Sequence, residues 1–142
     1  MKGKFYTLLL TLFLVNIGSL ATAEVSVIVG SNSTIDSIDV ATLKRLYLGK
    51  TETLPDGTLV EAVELSNEKT KERFHKKVTS KSIRQLSAYW ARLIFTGKGK
   101  PKHQIEDPEE LIDYISSNTN AIGYIETSSA SSARVKTILL IQ

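Results

Sequence analysis

Four short, continuous apolar runs separated by helix-like stretches constrain this chain more than any other feature. Val25-Ser26-Val27-Ile28-Val29 is β-branched and stops at Gly30, which reads as a buried strand. Leu59–Leu65 follows the turn Leu54-Pro55-Asp56-Gly57-Thr58 and reads as a second strand, with Leu59, Val63 and Leu65 on one face. Ala121–Ile125 and Val135–Ile141 are the third and fourth. Strands apolar on both sides need cover on both sides, so the helices between them must lie across the sheet. The expected fold class is therefore α/β, a mixed sheet flanked by helices.

The helices are marked by their caps and spacing. Asp39 precedes Val40, Leu43, Leu46 and Tyr47, and Gly49 ends that run. Ser66-Asn67 offers the cap for a helix over Glu68–Val78, whose apolar side is narrow, mainly Phe74 and Val78. Ser80 or Ser82 caps the next helix, to Phe95. There Ile83, Leu86, Trp90, Leu93 and Ile94 give the strongest amphipathic pattern in the chain. That spacing predicts a core stripe for Trp90 rather than a pocket wall. Asp107-Pro108-Glu109-Glu110 opens a fourth helix with Leu111, Ile112 and Ile115 on its apolar face. Gly123 reads as a place where another element packs closely on the sheet, and Ser128–Ala133 as a small-residue linker.

The N-terminus has a different character. Lys2 and Lys4 precede an apolar run, Phe5–Val15, and Ala21 and Ala23 stand at the −3 and −1 positions before Glu24. These are the three parts of a cleavable export signal, residues 1–23, leaving 24–142 as one domain. The apolar run is about half of the ~20 residues that a membrane-spanning helix needs. The chain has no cysteine, which excludes disulfides, thiolate chemistry, cysteine zinc sites and lipid attachment through a cysteine at the cut. The expected product is free in the periplasm, with no membrane anchor. The formal charge of +3 falls to +1 when Lys2 and Lys4 are removed. A nearly neutral domain lacks the field of a nucleic-acid binder.

Three segments in order then carry a resemblance. They are Leu43–Lys50 with Leu54-Pro55-Asp56-Gly57, Phe74–Val78 leading into Tyr89–Gly99, and Asn120–Ile125. Together they resemble the phosphate-type periplasmic substrate-binding proteins of ABC transporters. The resemblance implies one lobe of a type II periplasmic-binding-protein-like fold, apparently the second of the two lobes that full-length members have. It implies a small oxyanion, phosphate first, as ligand, and a transporter or sensor as partner. A homodimer would rebuild the two-lobed cleft. An interaction module that has kept the lobe and lost the ligand is the alternative.

The residues point to one anion site. Free N–H groups at a helix start, helped by hydroxyls and an arginine, bind oxyanions. Ser66, Asn67, Thr70 and Arg73 stand just after the strand ending at Leu65, the usual place for a ligand in an open α/β sheet. The resembled family has a Ser-Gly-Thr type loop here, whereas this chain has Glu68-Lys69-Thr70. The same stretch also reads as a plain helix cap with a solvated charged face, and both readings stand. Lys98, Lys100, Lys102 and His103 form a second basic patch, read as a solvated loop before a contact for an anion or acidic partner. Neither His75 nor His103 has a second ligand at metal spacing, and no serine sits in a nucleophile-elbow pattern. No cofactor and no catalysis are expected. Expressed with its leader, the chain should yield a periplasmic product beginning at Glu24, checked by intact mass; an uncut product there would refute the cleavage.

Overall fold

A computed structural model describes residues 24–142; the leader reading of residues 1–23 lies outside the described residues. The elements run β1 (Val25–Gly30), α1 (Val40–Tyr47), β2 (Glu61–Ala62), β3 (Glu64–Leu65), α2 (Glu68–Val78) and α3 (Ile83–Phe95). They continue with β4 (Gln104–Ile105), α4 (Pro108–Ser117), β5 (Ala121–Glu126), a 3₁₀ turn at Thr127–Ser129, and β6 (Val135–Ile141). The main sheet has the order β2-β5-β1-β6, and β3 pairs with β4 in a second, two-stranded sheet. β1 is antiparallel to both β5 and β6, whereas β2 is parallel to β5, so the sheet is mixed.

Side-chain alternation along β5 fixes the layers. Gly123 faces α4: a Cβ there would stand 3.2 Å from Ile115 Cδ1 and 3.3 Å from Leu111 Cδ1, so only glycine lets the helix come this close. Tyr124 faces the other way and stacks on Phe74 of α2, with ring centroids 3.8 Å apart and planes at 6°. Tyr47 of α1 meets both rings edge-on, at 4.7 Å from Phe74 and 5.6 Å from Tyr124. The sheet is thus covered by α4 on one face and by α1 and α2 on the other. That is why all six residues of β1, and all of β5 except Glu126, are buried.

The helices begin where the sequence places their caps. Asp39 accepts from the Thr42 N–H and hydroxyl at 2.8 Å each, and these bonds, the amide first, hold its carboxyl below the usual range. Asn67 caps α2, Ser82 and Gln85 form a reciprocal capping box on α3, and Asp107 caps α4 ahead of Pro108.

Two expectations are corrected. Leu59–Leu65 is not one strand. The chain pairs with β5 through Ala62, and the Val63 N–H still donates to the Ile122 carbonyl at 2.8 Å. Glu64 and Leu65 then turn to β4, an element too short to leave a periodic trace. Leu59 precedes the switch and is exposed rather than sharing a face with Val63 and Leu65. The α3 stripe is not core either: of its residues only Leu86 is fully buried, and Trp90 is half-buried. Both faces of the sheet are already covered, so α3 packs against α2 instead.

Beneath α2 lies a polar cluster that the sequence does not announce. Glu64 is 2% exposed and His75 and Tyr124 are 0% exposed. His75 Nε2 stands 2.8 and 3.1 Å from the two Glu64 carboxylate oxygens, and the Tyr124 hydroxyl donates to Glu64 at 2.5 Å. The Thr79 hydroxyl donates to the His75 carbonyl at 2.9 Å, and His75 Nδ1 lies 3.2 Å from Thr79 Oγ1. Among the described residues no buried side-chain polar atom is left without a partner. Burial first, and then the Glu64 charge, push the Tyr47 and Tyr124 phenols well above their usual range. Removing one partner of such a buried hydrogen-bonded pair leaves the other unsatisfied, at about 1–3 kcal/mol or more, whereas replacing both by apolar groups costs far less. His75→Leu and Glu64→Leu should each destabilise strongly in urea, and the double variant should be more stable than either. Additive losses in the double variant would contradict the pairing.

Candidate functional site

The four residues expected to hold an anion lie around the start of α2, directly after β3. They do not all converge. The Ser66 hydroxyl donates to Gln104 Oε1 at 3.3 Å, which ties it to β4. Asn67 is the helix cap: its Oδ1 accepts from the Thr70 N–H at 3.3 Å. The Thr70 hydroxyl, with one proton to give, stands within reach of both Asn67 Oδ1, at 3.3 Å, and a carboxylate across the sheet. The Lys71 N–H goes to the Asn67 carbonyl. Among the described residues, the N–H groups of Glu68 and Lys69 have no protein acceptor.

Thr70 and Arg73 do come together, on a residue that the sequence reading did not single out. The Thr70 hydroxyl lies 3.4 Å, and Arg73 Nη1 3.1 Å, from the same oxygen, Glu126 Oε1. Glu126 ends β5, so its carboxylate reaches the first turn of α2 from across the sheet. Thr70 is buried, whereas the Arg73 and Glu126 side chains are each 42% exposed. The arrangement is a hydroxyl, a guanidinium and a helix start gathered around one anionic oxygen that the chain supplies itself. The signal that could have found it is a lone acid at the carboxyl end of an apolar strand, a weak one without the sheet order.

The second basic patch lies at the opposite end of β5, beside Asn120. Lys98, Lys100, Lys102 and His103 line a recess of about 530 Å³ with Trp90 in its wall. His103 Nδ1 is 3.4 Å from Glu61, which also accepts from the Tyr114 hydroxyl at 2.7 Å. That last bond is the main reason the Tyr114 phenol is raised from its usual value. Burial lowers the Lys102 ammonium, and the Glu64, Glu52 and Glu61 charges oppose that shift. Among the described residues no group of three or more His, Cys, Asp or Glu could hold a metal ion, and no helix is long and apolar enough to cross a membrane.

No protein family and no curated protein matches the chain by sequence. Solved structures do match by fold. A putative phosphate ABC transporter substrate-binding protein with bound phosphate from Clostridium perfringens superposes with a TM-score of 0.61 at 16% identity, over 82% of this chain and 45% of that one. An ABC-type phosphate transport receptor from Vibrio cholerae gives 0.61 at 15%, over 82% and 46%. The PstS protein of Borrelia burgdorferi gives 0.55 at 13%, over 76% and 43%. The fold is thus similar to part of the fold of these structures, and the chain spans less than half the length of the structures it matches.

The Arg73–Glu126 pair is half-exposed, and such pairs contribute about 1 kcal/mol or less. Glu126→Gln should therefore leave the urea midpoint close to that of the parent chain. A large loss would mean that the carboxylate is structural.

Proposed function

We propose that this chain is a periplasmic solute-binding-like protein, non-enzymatic and one lobe in extent. It holds a small oxyanion, phosphate first, at the start of α2, in connection with ABC transport or sensing. The observation that carries this reading is the convergence of Thr70 and Arg73 on one carboxylate oxygen of Glu126. A carboxylate oxygen and a phosphate oxygen make the same demands: negative charge, and acceptance from N–H and O–H donors. Donors already gathered around one can accept the other once Glu126 swings aside, and the N–H groups of Glu68 and Lys69 add to them. The fold supports the reading too, since the matching structures include an ABC-type phosphate transport receptor and a putative phosphate ABC transporter substrate-binding protein with bound phosphate.

A second reading has its own observation. Glu126 already satisfies Thr70 and Arg73, and a single lobe presents half of a two-sided cleft, so the lobe would serve as an interaction module that has lost its ligand. A homodimer would bring a second half-site to the first.

Calorimetric titration of the mature protein with phosphate decides between them, with sedimentation run alongside. The expected outcome is weak binding by the parent chain and a gain of about tenfold or more in Glu126→Gln, as the competing charge is removed. Arg73→Ala should abolish it. No heat from parent or Glu126→Gln protein up to millimolar phosphate, whether monomeric or dimeric, would sink the oxyanion reading and leave the module.

A further inference from the structure

The recess at the Asn120 end of β5 has features that the oxyanion reading does not use. Its rim is the loop that follows α3, which carries Lys98, Lys100 and Lys102. Among the described residues none of these three lies within ion-pair distance of a carboxylate. Leu59, 59% exposed, lines the recess with them, and Ile94, 44% exposed, lines a smaller neighbouring one. Single exposed apolar residues are ordinary, but these two border cavities beside unpaired cations.

The wall between them is built to stay open. Gly49, at φ +67°, approaches so closely that a Cβ would lie 2.7 Å from Trp90 Cη2, and one on Gly99 would lie 3.3 Å from Trp90 Cζ3. The two backbones pin the indole, and Lys102 Nζ lies over the ring at 5.7 Å from its centroid. Trp90, Pro101 and Lys102 also border a second recess of about 140 Å³ that reaches Ile94. The two recesses therefore meet at a fixed aromatic wall, with cations along the edge.

Charge and shape select the occupant. Three lysines outnumber Glu52 and Glu61 in the same recess, and Glu61 is already engaged by Tyr114 and His103, so an acidic occupant is favoured over a basic one. The apolar wall favours a peptide, whose side chains can be acidic and apolar in turn, over the uniformly charged face of a nucleic acid or an anionic lipid surface. A second copy fits poorly. The chain's own acidic run, Glu106–Glu110, is bounded by Ile105 and Leu111, both buried, so it offers no apolar anchor from these positions. What fits is an extended segment whose acids meet Lys98 and Lys100 while an apolar side chain enters against Trp90. We propose that the recess between Leu59, Trp90 and the Gly97–Lys102 rim is a docking site for an acidic, apolar-bearing segment of a protein partner. This surface is independent of the α2 start and goes beyond oxyanion binding.

The test uses the mature chain and a displayed library of random peptides of roughly twelve residues. Enrichment of Asp- and Glu-rich sequences containing Leu, Phe or Trp is expected. A synthetic peptide without tryptophan, taken from that set, should perturb the fluorescence of Trp90, the only tryptophan in the chain. Its affinity should fall about tenfold or more in Lys98→Glu/Lys100→Glu, and likewise in Leu59→Ser, and should weaken with salt. These side chains are exposed, so the variants should melt like the parent, and phosphate titration of the lysine double variant should be unchanged. No enrichment, enriched peptides that are not acidic, or affinity indifferent to both variants would overturn the proposal. So would self-association that the same variants abolish, or peptide displacement by phosphatidylglycerol vesicles, because each names a different occupant.

Discussion

A carboxylate sealed in a protein interior is tolerable only when its oxygens are occupied, and Glu64 is held in that way. His75 reaches both oxygens and Tyr124 donates to one. The consequence is positional. β3 is two residues long and would be poorly fixed by ladder bonds alone. Glu64 ties it to α2 through His75 and to β5 through Tyr124, and the Phe74–Tyr124 stack closes the same triangle. Strand end, helix start and sheet are thereby set against each other, so the place where Ser66 and Asn67 open α2 is determined by a buried hydrogen-bonded cluster.

That geometry also brings Glu126 to α2. It is the last residue of the strand that Tyr124 anchors, two positions on and hence on the same face. Its carboxylate meets the positive end of the helix, the Thr70 hydroxyl and the Arg73 guanidinium. The core pair and the surface pair differ in their consequences. Glu64 has no water to turn to and so acts as a structural fixture. Glu126, at 42% exposure, can leave its donors for solvent at small cost. In the proposed reading, such an internal occupant weakens oxyanion binding by competition without dismantling the donors.

Much of this frame was legible in the residues, and the reason is local chemistry. Asp39, Asn67, Ser82 and Asp107 cap the helices because their side chains satisfy amides within their own first turns. β1 and β5 read as buried strands because cover on both faces leaves no polar alternation. The mixed sheet flanked by helices, and the likeness to phosphate-type binding proteins, follow from the same segments. What was not legible depends on contacts distant in sequence. The switch at Val63 needs β4, whose two residues have no period of their own. The meeting of Glu64 with Tyr124 spans 60 positions, and that of Arg73 with Glu126 spans 53. Four expected site residues were placed near one another by sequence adjacency, yet Ser66 turns to Gln104 while Thr70 and Arg73 turn to Glu126.

The clearest departure is α3. It is the longest helix and carries a clear amphipathic stripe, yet it is the least buried of the helices. Hydrophobic periodicity records that a face needs cover, and it does not say which surface supplies it. Here the sheet cannot, because α1 and α2 fill one face and α4 the other. Part of the stripe finds cover under the Gly99–Lys102 loop, which leans on Trp90 and Leu93. The remainder, Ile94 and Phe95, stays in water. The same loop that covers Trp90 lifts its lysines to the rim. The apolar surface left open and the cations beside it therefore have one structural origin: an amphipathic helix that its own sheet has no room to receive.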